Sequence, residues 1–250
     1  MKKNVILIAV LLACSGVAHA EIESAVSGYG VTLTGGLGGE QGVGFIQPID
    51  SDSLNSVTID VGGNDVTFDV TLPSLKGDAY TLEGPSHEFE YSANVAQKKF
   101  LYSSRDLQYA KFGSWISRIT NPDKIDAFFA QGNATLAADV PSTGTASYSG
   151  AAVFGAADGA GGYAGRVVTP ASFDVNFGAH QLIGTIGADG GILSNDLVFN
   201  AAINGNAFEA GSAAGDGFHT QGKFYGPNAD ELAGVFRDAT YAGAYGAAKD

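Results

Sequence analysis

Sulfur is almost absent: the 250-residue chain has one cysteine, Cys14, and one methionine, Met1. A mature chain that begins after residue 20 has neither, which excludes disulfides, thiol catalysis, thiolate metal sites and a methionine axial ligand. Positive charge is scarce as well, with 13 Lys and Arg against 26 Asp and Glu and a net charge of -13. That balance argues against nucleic acid and against a polybasic membrane patch, and a well-solvated secreted surface accounts for it without any ligand. Histidines number 4, and only His87, His180 and His219 lie beyond residue 20. Catalytic signatures are missing. His87-Glu88 is followed by Phe89-Glu90-Tyr91, so the zinc-protease spacing fails, and there is no Gly-x-Ser-x-Gly elbow. Gly217 to Lys223 has phosphate-loop spacing, but Phe224 stands where Ser or Thr would bind magnesium. The expectation is a protein that is not an enzyme. Asn133-Ala134-Thr135 is a glycosylation sequon by pattern alone.

The first twenty residues set the compartment. Lys2 and Lys3, the apolar run Val5 to Ala13 and the small-x-small site Ala18-His19-Ala20 make residues 1–20 a signal peptide, with Glu21 as the new N-terminus. Leu11-Leu12-Ala13-Cys14 offers a competing lipobox, in which Cys14 would be acylated. Soluble secretion is the first expectation, and an outer-membrane lipoprotein anchored at Cys14 the alternative. No later stretch is long enough for a membrane helix.

Glycine is abundant, 36 residues against 7 prolines, and short alternating apolar runs are punctuated by Gly, Asn and Asp. That pattern reads as all-β. The length exceeds what one eight-stranded barrel needs, so two β domains are expected, residues 21–140 and 141–250, with the boundary near Pro141-Ser142-Thr143-Gly144. In the second, apolar segments recur at 146–150, 164–168, 172–177, 181–186, 197–199 and 207–209, with small residues alternating against aromatics as an up-and-down barrel requires. An outer-membrane barrel would alternate similarly but with a broad apolar lipid face. In the first, Val57 to Val61 and Val66 to Val70 read as a hairpin around Gly62-Gly63-Asn64-Asp65.

The run Gly222-Lys223-Phe224-Tyr225-Gly226-Pro227-Asn228-Ala229-Asp230-Glu231-Leu232-Ala233-Gly234-Val235-Phe236 is the most specific in the chain. Two strands flank a turn in which Pro fixes φ and Gly or Asn accepts φ > 0. It resembles the closing hairpin of the β-barrel domain in the transferrin-binding protein B family, which includes factor H-binding protein and the soluble haem-binding hemophilins. Ser142 to Gly150 looks like the first strand of that barrel. Lys111-Phe112-Gly113-Ser114-Trp115 resembles a strand of the handle domain that precedes it. The resemblance implies an all-β fold, a β-rich handle followed by an eight-stranded antiparallel barrel. It also implies export by a Slam-type translocator, a TonB-dependent outer-membrane receptor as acceptor, and a monomer. Two functions compete: a secreted hemophore that captures haem for iron acquisition, and a surface lipoprotein that binds a host protein.

The handle supplies the residues for the first. Phe89, Tyr91, Phe100, Tyr102, Tyr109, Phe112, Trp115, Phe128 and Phe129 cluster there, among Lys98, Lys99, Arg105, Lys111, Arg118 and Lys124. A planar apolar dianion such as haem needs aromatic burial for its ring and basic partners for its propionates. An aromatic core ringed by solvated lysines explains the same composition. Strand alternation would set His87, Phe89 and Tyr91 on one face, which makes His87 the candidate axial ligand, since imidazole is the commonest protein donor to haem iron. Phe89, Tyr91, Tyr102, Tyr109 and Trp115 are the candidate pocket, Tyr91, Tyr102 and Tyr109 the alternative ligands, and Lys98, Lys99 and Arg105 the candidate propionate partners. His180 reads as a hairpin residue and His219 as a barrel position.

Overall fold

The computed structural model describes residues 22–29, 42–44, 56–61, 64–69, 87–91, 95–103, 107–119, 124–157, 163–211 and 217–250. Among these there is no α-helix, and none long and apolar enough to cross a membrane. The first half contributes strands β1 (Ile22–Tyr29), β2 (Gly42–Gly44), β3 (Ser56–Val61), β4 (Asn64–Asp69), β5 (His87–Tyr91), β6 (Val95–Ser103), β7 (Ala110–Ile119) and β8 (Lys124–Asn133). Six of them form one sheet in the order β2-β1-β8-β7-β6-β5, while β3 and β4 make a separate hairpin. The second half contributes β9 (Thr145–Ala157), β10 (Tyr163–Asn176), β11 (Gln181–Ile186), β12 (Leu197–Asn204), β13 (Ala207–Gly211), β14 (His219–Tyr225), β15 (Glu231–Arg237) and β16 (Tyr241–Lys249). These eight close into an antiparallel barrel, with β16 pairing back onto β9.

Several expectations change in detail. In the β3–β4 hairpin Val61 pairs with Asn64, so Asn64 and Asp65 belong to a strand and only Gly62 and Gly63 lie between. A Gly-Gly pair suffices for a two-residue hairpin loop. Segments 164–168 and 172–177 are one strand, β10, whose register shifts between Ala164 and Val167. The hairpin of β14 and β15 is not the closing one, because β16 follows and makes the seam. Its run Tyr241-Ala242-Gly243-Ala244-Tyr245-Gly246-Ala247 lacks the β-branched residues that mark strands. The turn itself is as the sequence indicates: Gly226 and Asn228 have φ of 74 and 55, although Ala229, at φ 57, joins them. Tyr148 on β9 fixes that turn, its hydroxyl donating to the Ala229 carbonyl at 2.6 Å.

The barrel interior is solid. Phe154, Phe173, Phe199, Phe208, Phe224, Phe236 and Tyr245 fill it, all buried. Register explains how they fit: Phe199 pairs with Gly184, Phe208 with Gly222, Tyr245 with Gly234 and Phe236 with Gly243. In each pair a β-carbon on the glycine would run into the partner's aromatic ring or hydroxyl. Each ring therefore lies over a bare stretch of neighbouring backbone, which is how so many aromatics reach close-packed density in a small barrel. Outward positions of β10 to β12 are mostly polar, with Ser172, Asp174, Asn176, Gln181, Asn200 and Asn204 exposed, and only Ile183 and Val198 put large apolar side chains among them. A lipid-facing band would be apolar there, so this barrel is filled with apolar groups and faces water.

Strands β15 and β16 are buried on both faces along most of their length. The outer face is covered by the sheet: Phe112 and Ala110 of β7 and Phe128 and Ala130 of β8 pack on Ala151, Val153, Ala233, Val235, Ala242 and Ala244. Small side chains let the two layers approach closely. Gly246 is the tightest point, because a β-carbon there would strike the Phe112 ring.

Candidate binding site

The candidate residues fall in two regions, one on the sheet and one where sheet meets barrel. On the sheet, His87 of β5 pairs with Phe100 of β6, which pairs with Trp115 of β7. An imidazole and two aromatic residues thus occupy one cross-strand row. Next to it on the same face, two residues along, stand Phe89 and Lys98, a directly paired couple. Lys99 pairs with Glu88 in the row between. The register shifts between Phe89 and Tyr91, so Tyr91 does not continue a simple alternation from His87. Tyr102 pairs with Gly113 in the neighbouring row, on the face that the pleat assigns to Trp115. Because Phe112 faces the barrel, that row lies on the opposite face of the sheet. Arg105 and the side chains of His87, Phe89, Tyr91, Lys98, Lys99, Tyr102 and Trp115 lie outside the described residues.

Tyr109 stands apart from this row. It precedes β7, six positions before Trp115, which is roughly 20 Å along an extended chain. It belongs to the junction, where sheet and barrel are joined by polar contacts. Glu231, the acidic residue of the Asn-Ala-Asp-Glu-Leu motif, is buried at the start of β15. Its carboxylate accepts three backbone N–H groups from the entry to β7: Gln108 at 2.6 Å, Tyr109 at 3.0 Å and Ala110 at 2.8 Å. Burial raises its pKa above the ordinary glutamate value, against the lowering effect of those three bonds. On the other side, β8 runs on to the edge of β14. Ala134 bridges Tyr225, the Thr135 N–H donates to the Phe224 carbonyl at 2.9 Å, and the Gly226 N–H donates to that of Asn133 at 2.9 Å. The Thr135 hydroxyl donates to the Gly226 carbonyl at 2.6 Å and is buried, which withdraws the sequon's hydroxyl from solvent. At the far side of the interface the half-buried Arg166 guanidinium sits 4.9 Å from the Phe128 ring and 5.6 Å from that of Tyr163. Burial lowers its pKa to about 10, so it stays cationic at neutral pH.

Beside these bonds lies an open cleft of about 440 Å³ lined by Tyr109, Asn133 to Leu136, Asp139, Gly226 and Pro227. The remaining histidines match the expectations for them. His180 is exposed in the β10–β11 turn at φ 53, and His219 is a buried β14 residue whose Nε2 lies 2.8 Å from Glu209. Gly217 to Lys223 enters β14 rather than opening a helix, so it is no phosphate loop. Among the described residues no group of three metal-ligating side chains occurs. The sequence offered no sign of the cleft, since its walls come from residues 109, 133–139 and 226–227 and meet only in the fold.

Comparison with known proteins places these observations. Residues 140–249 match the family model described as the C-lobe and N-lobe beta barrels of Tf-binding protein B. A Haemophilus influenzae protein without an assigned role is 31% identical over 161 residues, covering 59% of this chain and 53% of that protein. Among solved structures, transferrin-binding protein B of Haemophilus parasuis superposes with a TM-score of 0.60 at 20% identity, over 92% of this chain and 45% of that one. HpuA of Kingella denitrificans, solved in complex with human haemoglobin, gives 0.54 at 16% identity over 93% and 88%. At these identities the structures establish the fold alone. The chain spans about half the length of the curated relative and less than half of the transferrin-binding protein B chain.

Proposed function

From a chain whose residues 140–249 form a β-barrel of the transferrin-binding protein B-like family, we propose a surface receptor that binds a host iron protein, haemoglobin or transferrin. The observation that carries this reading is the filled barrel. With Phe154, Phe173, Phe199, Phe208, Phe236 and Tyr245 occupying its interior, the barrel has no room for a small ligand, and recognition falls to outer surfaces. A size-matched relative in fold, HpuA, was solved with haemoglobin bound, which supports the choice of partner. That the family is one of binding and receptor proteins supports a binding protein rather than an enzyme. A Slam-type exporter and a TonB-dependent receptor as downstream acceptor belong to this reading as expectations of the resemblance. The second reading, a haem carrier, is favoured by the register that sets His87, Phe100 and Trp115 in one cross-strand row, since haem calls for an imidazole ligand and aromatic stacking.

Surface plasmon resonance of the purified protein against haemoglobin and transferrin, with an absorbance spectrum before and after haemin, tests both. We expect one host protein to be retained and the haemin spectrum to remain that of free haemin. A Soret band that shifts in His87→Ala but not in His180→Ala, without host-protein binding, would reverse the order. The mature N-terminus gives an independent check. Surface anchoring goes with a diacylglyceryl mass on Cys14, the expected result, whereas Glu21 at the N-terminus goes with the secreted carrier.

A further inference from the structure

We propose that the junction cleft seats a basic side chain, arginine or lysine, projected by the host protein partner; this rests on the host-protein reading above and locates its contact. The cleft combines three things that a long cationic side chain uses. Leu136 is 40% exposed, one of three exposed large apolar residues among the described residues, and with Pro227 it offers an apolar track for an aliphatic stem. Tyr109 presents an aromatic ring that attracts a cation. Asp139, exposed, is the charged side chain among the described residues of the lining.

An anionic ligand is disfavoured by the same geometry. Three backbone N–H groups that could serve an anion, those of Asn133, Thr135 and Gly226, are spent on the carbonyls of Tyr109, Phe224 and Asn133, and the Asp139 carboxylate would repel one. These bonds also hold the walls in place before anything binds, so little ordering cost falls on association. The charge of the whole chain, -13, steers a basic patch towards it.

The test uses the full chain and whichever of haemoglobin and transferrin the wild type binds. Asp139→Lys should weaken binding by about tenfold or more, and Asp139→Asn by roughly three- to tenfold, chiefly through slower association with a flatter salt dependence. Leu136→Ser should weaken it through faster dissociation. Ile183→Ser, an exposed apolar residue on the β11 face of the barrel, should bind as wild type. All three positions are exposed, so the melting temperatures of the four variants should agree. If the wild type binds and Asp139→Lys binds equally tightly, the cleft is not the contact while the receptor reading stands. If the wild type binds neither protein, the receptor reading fails and this inference with it.

Discussion

Tyr245→Ala should be the most damaging single substitution in the barrel, lowering stability by about 3–5 kcal/mol. The ring is fully buried, with centroids 5.0 Å from Phe173, 6.0 Å from Phe199, 6.4 Å from Phe208 and 6.1 Å from Phe236. Four aromatics therefore lose their common neighbour at once, and they stand on strands fixed by closed pairing, so the void cannot collapse. Gly234 lies bare beneath the ring and gives nothing to fill the gap. Against a total stability of about 5–15 kcal/mol, the loss should appear as a fall of roughly 10 °C or more in melting temperature. Tyr245→Phe separates shape from polarity. It removes only the hydroxyl that shares a 2.8 Å bond with Thr220, whose own hydroxyl still donates to the Val235 carbonyl at 2.8 Å. A cost near 1 kcal/mol is expected. Circular dichroism melts of the two variants decide it: equal, small losses would mean that the core repacks around the gap.

The second large effect is expected at Glu231. Glu231→Ala strands three backbone N–H groups, of which the Ala110 donor is buried and the other two partly so, at a cost of about 2–4 kcal/mol. The loss should fall on the union of sheet and barrel rather than on the barrel itself. The single tryptophan, Trp115, is in β7, so its fluorescence reports the sheet. In the variant that signal should change at a lower temperature than the far-ultraviolet signal; coincident transitions would place the role of Glu231 elsewhere. The pH dependence has a definite sign. Burial, the dominant influence, holds the folded carboxyl above its ordinary value. Its titration therefore contributes stability that is complete below the unfolded value and is withdrawn as pH rises through the folded one. The stability gap between wild type and Glu231→Gln should be wider at about pH 4 than at about pH 7.

Glu231 also marks the limit of sequence reasoning. The Asn-Ala-Asp-Glu-Leu run was conspicuous as a motif, and its turn chemistry was legible in Gly226, Pro227 and Asn228. That its glutamate grips the backbone at 108–110 was not, because the two segments are more than a hundred residues apart. Likewise the strand Tyr241–Lys249 carries no strand signal in its sequence, since its alanines and glycines have little strand preference of their own. It is a strand because the barrel needs an eighth partner and because Phe112 and its neighbours require a small-residue surface to land on.

The sequence by itself determined the all-β class, the barrel in the C-terminal half, the alternation of β10 to β12 and the family likeness. Each is written in local features: period-two patterning, glycine and proline punctuation, and one contiguous motif. Only the tertiary structure decided which glycine lies under which aromatic, that the sheet covers β15 and β16, that Tyr109 belongs to the junction and not to the His87 row, and that a cleft bearing the Asp139 carboxylate opens there. These are matters of register and of contact between distant segments. Strand pairing is set by the whole closed barrel, and a slip of a single residue would exchange every inward side chain for an outward one.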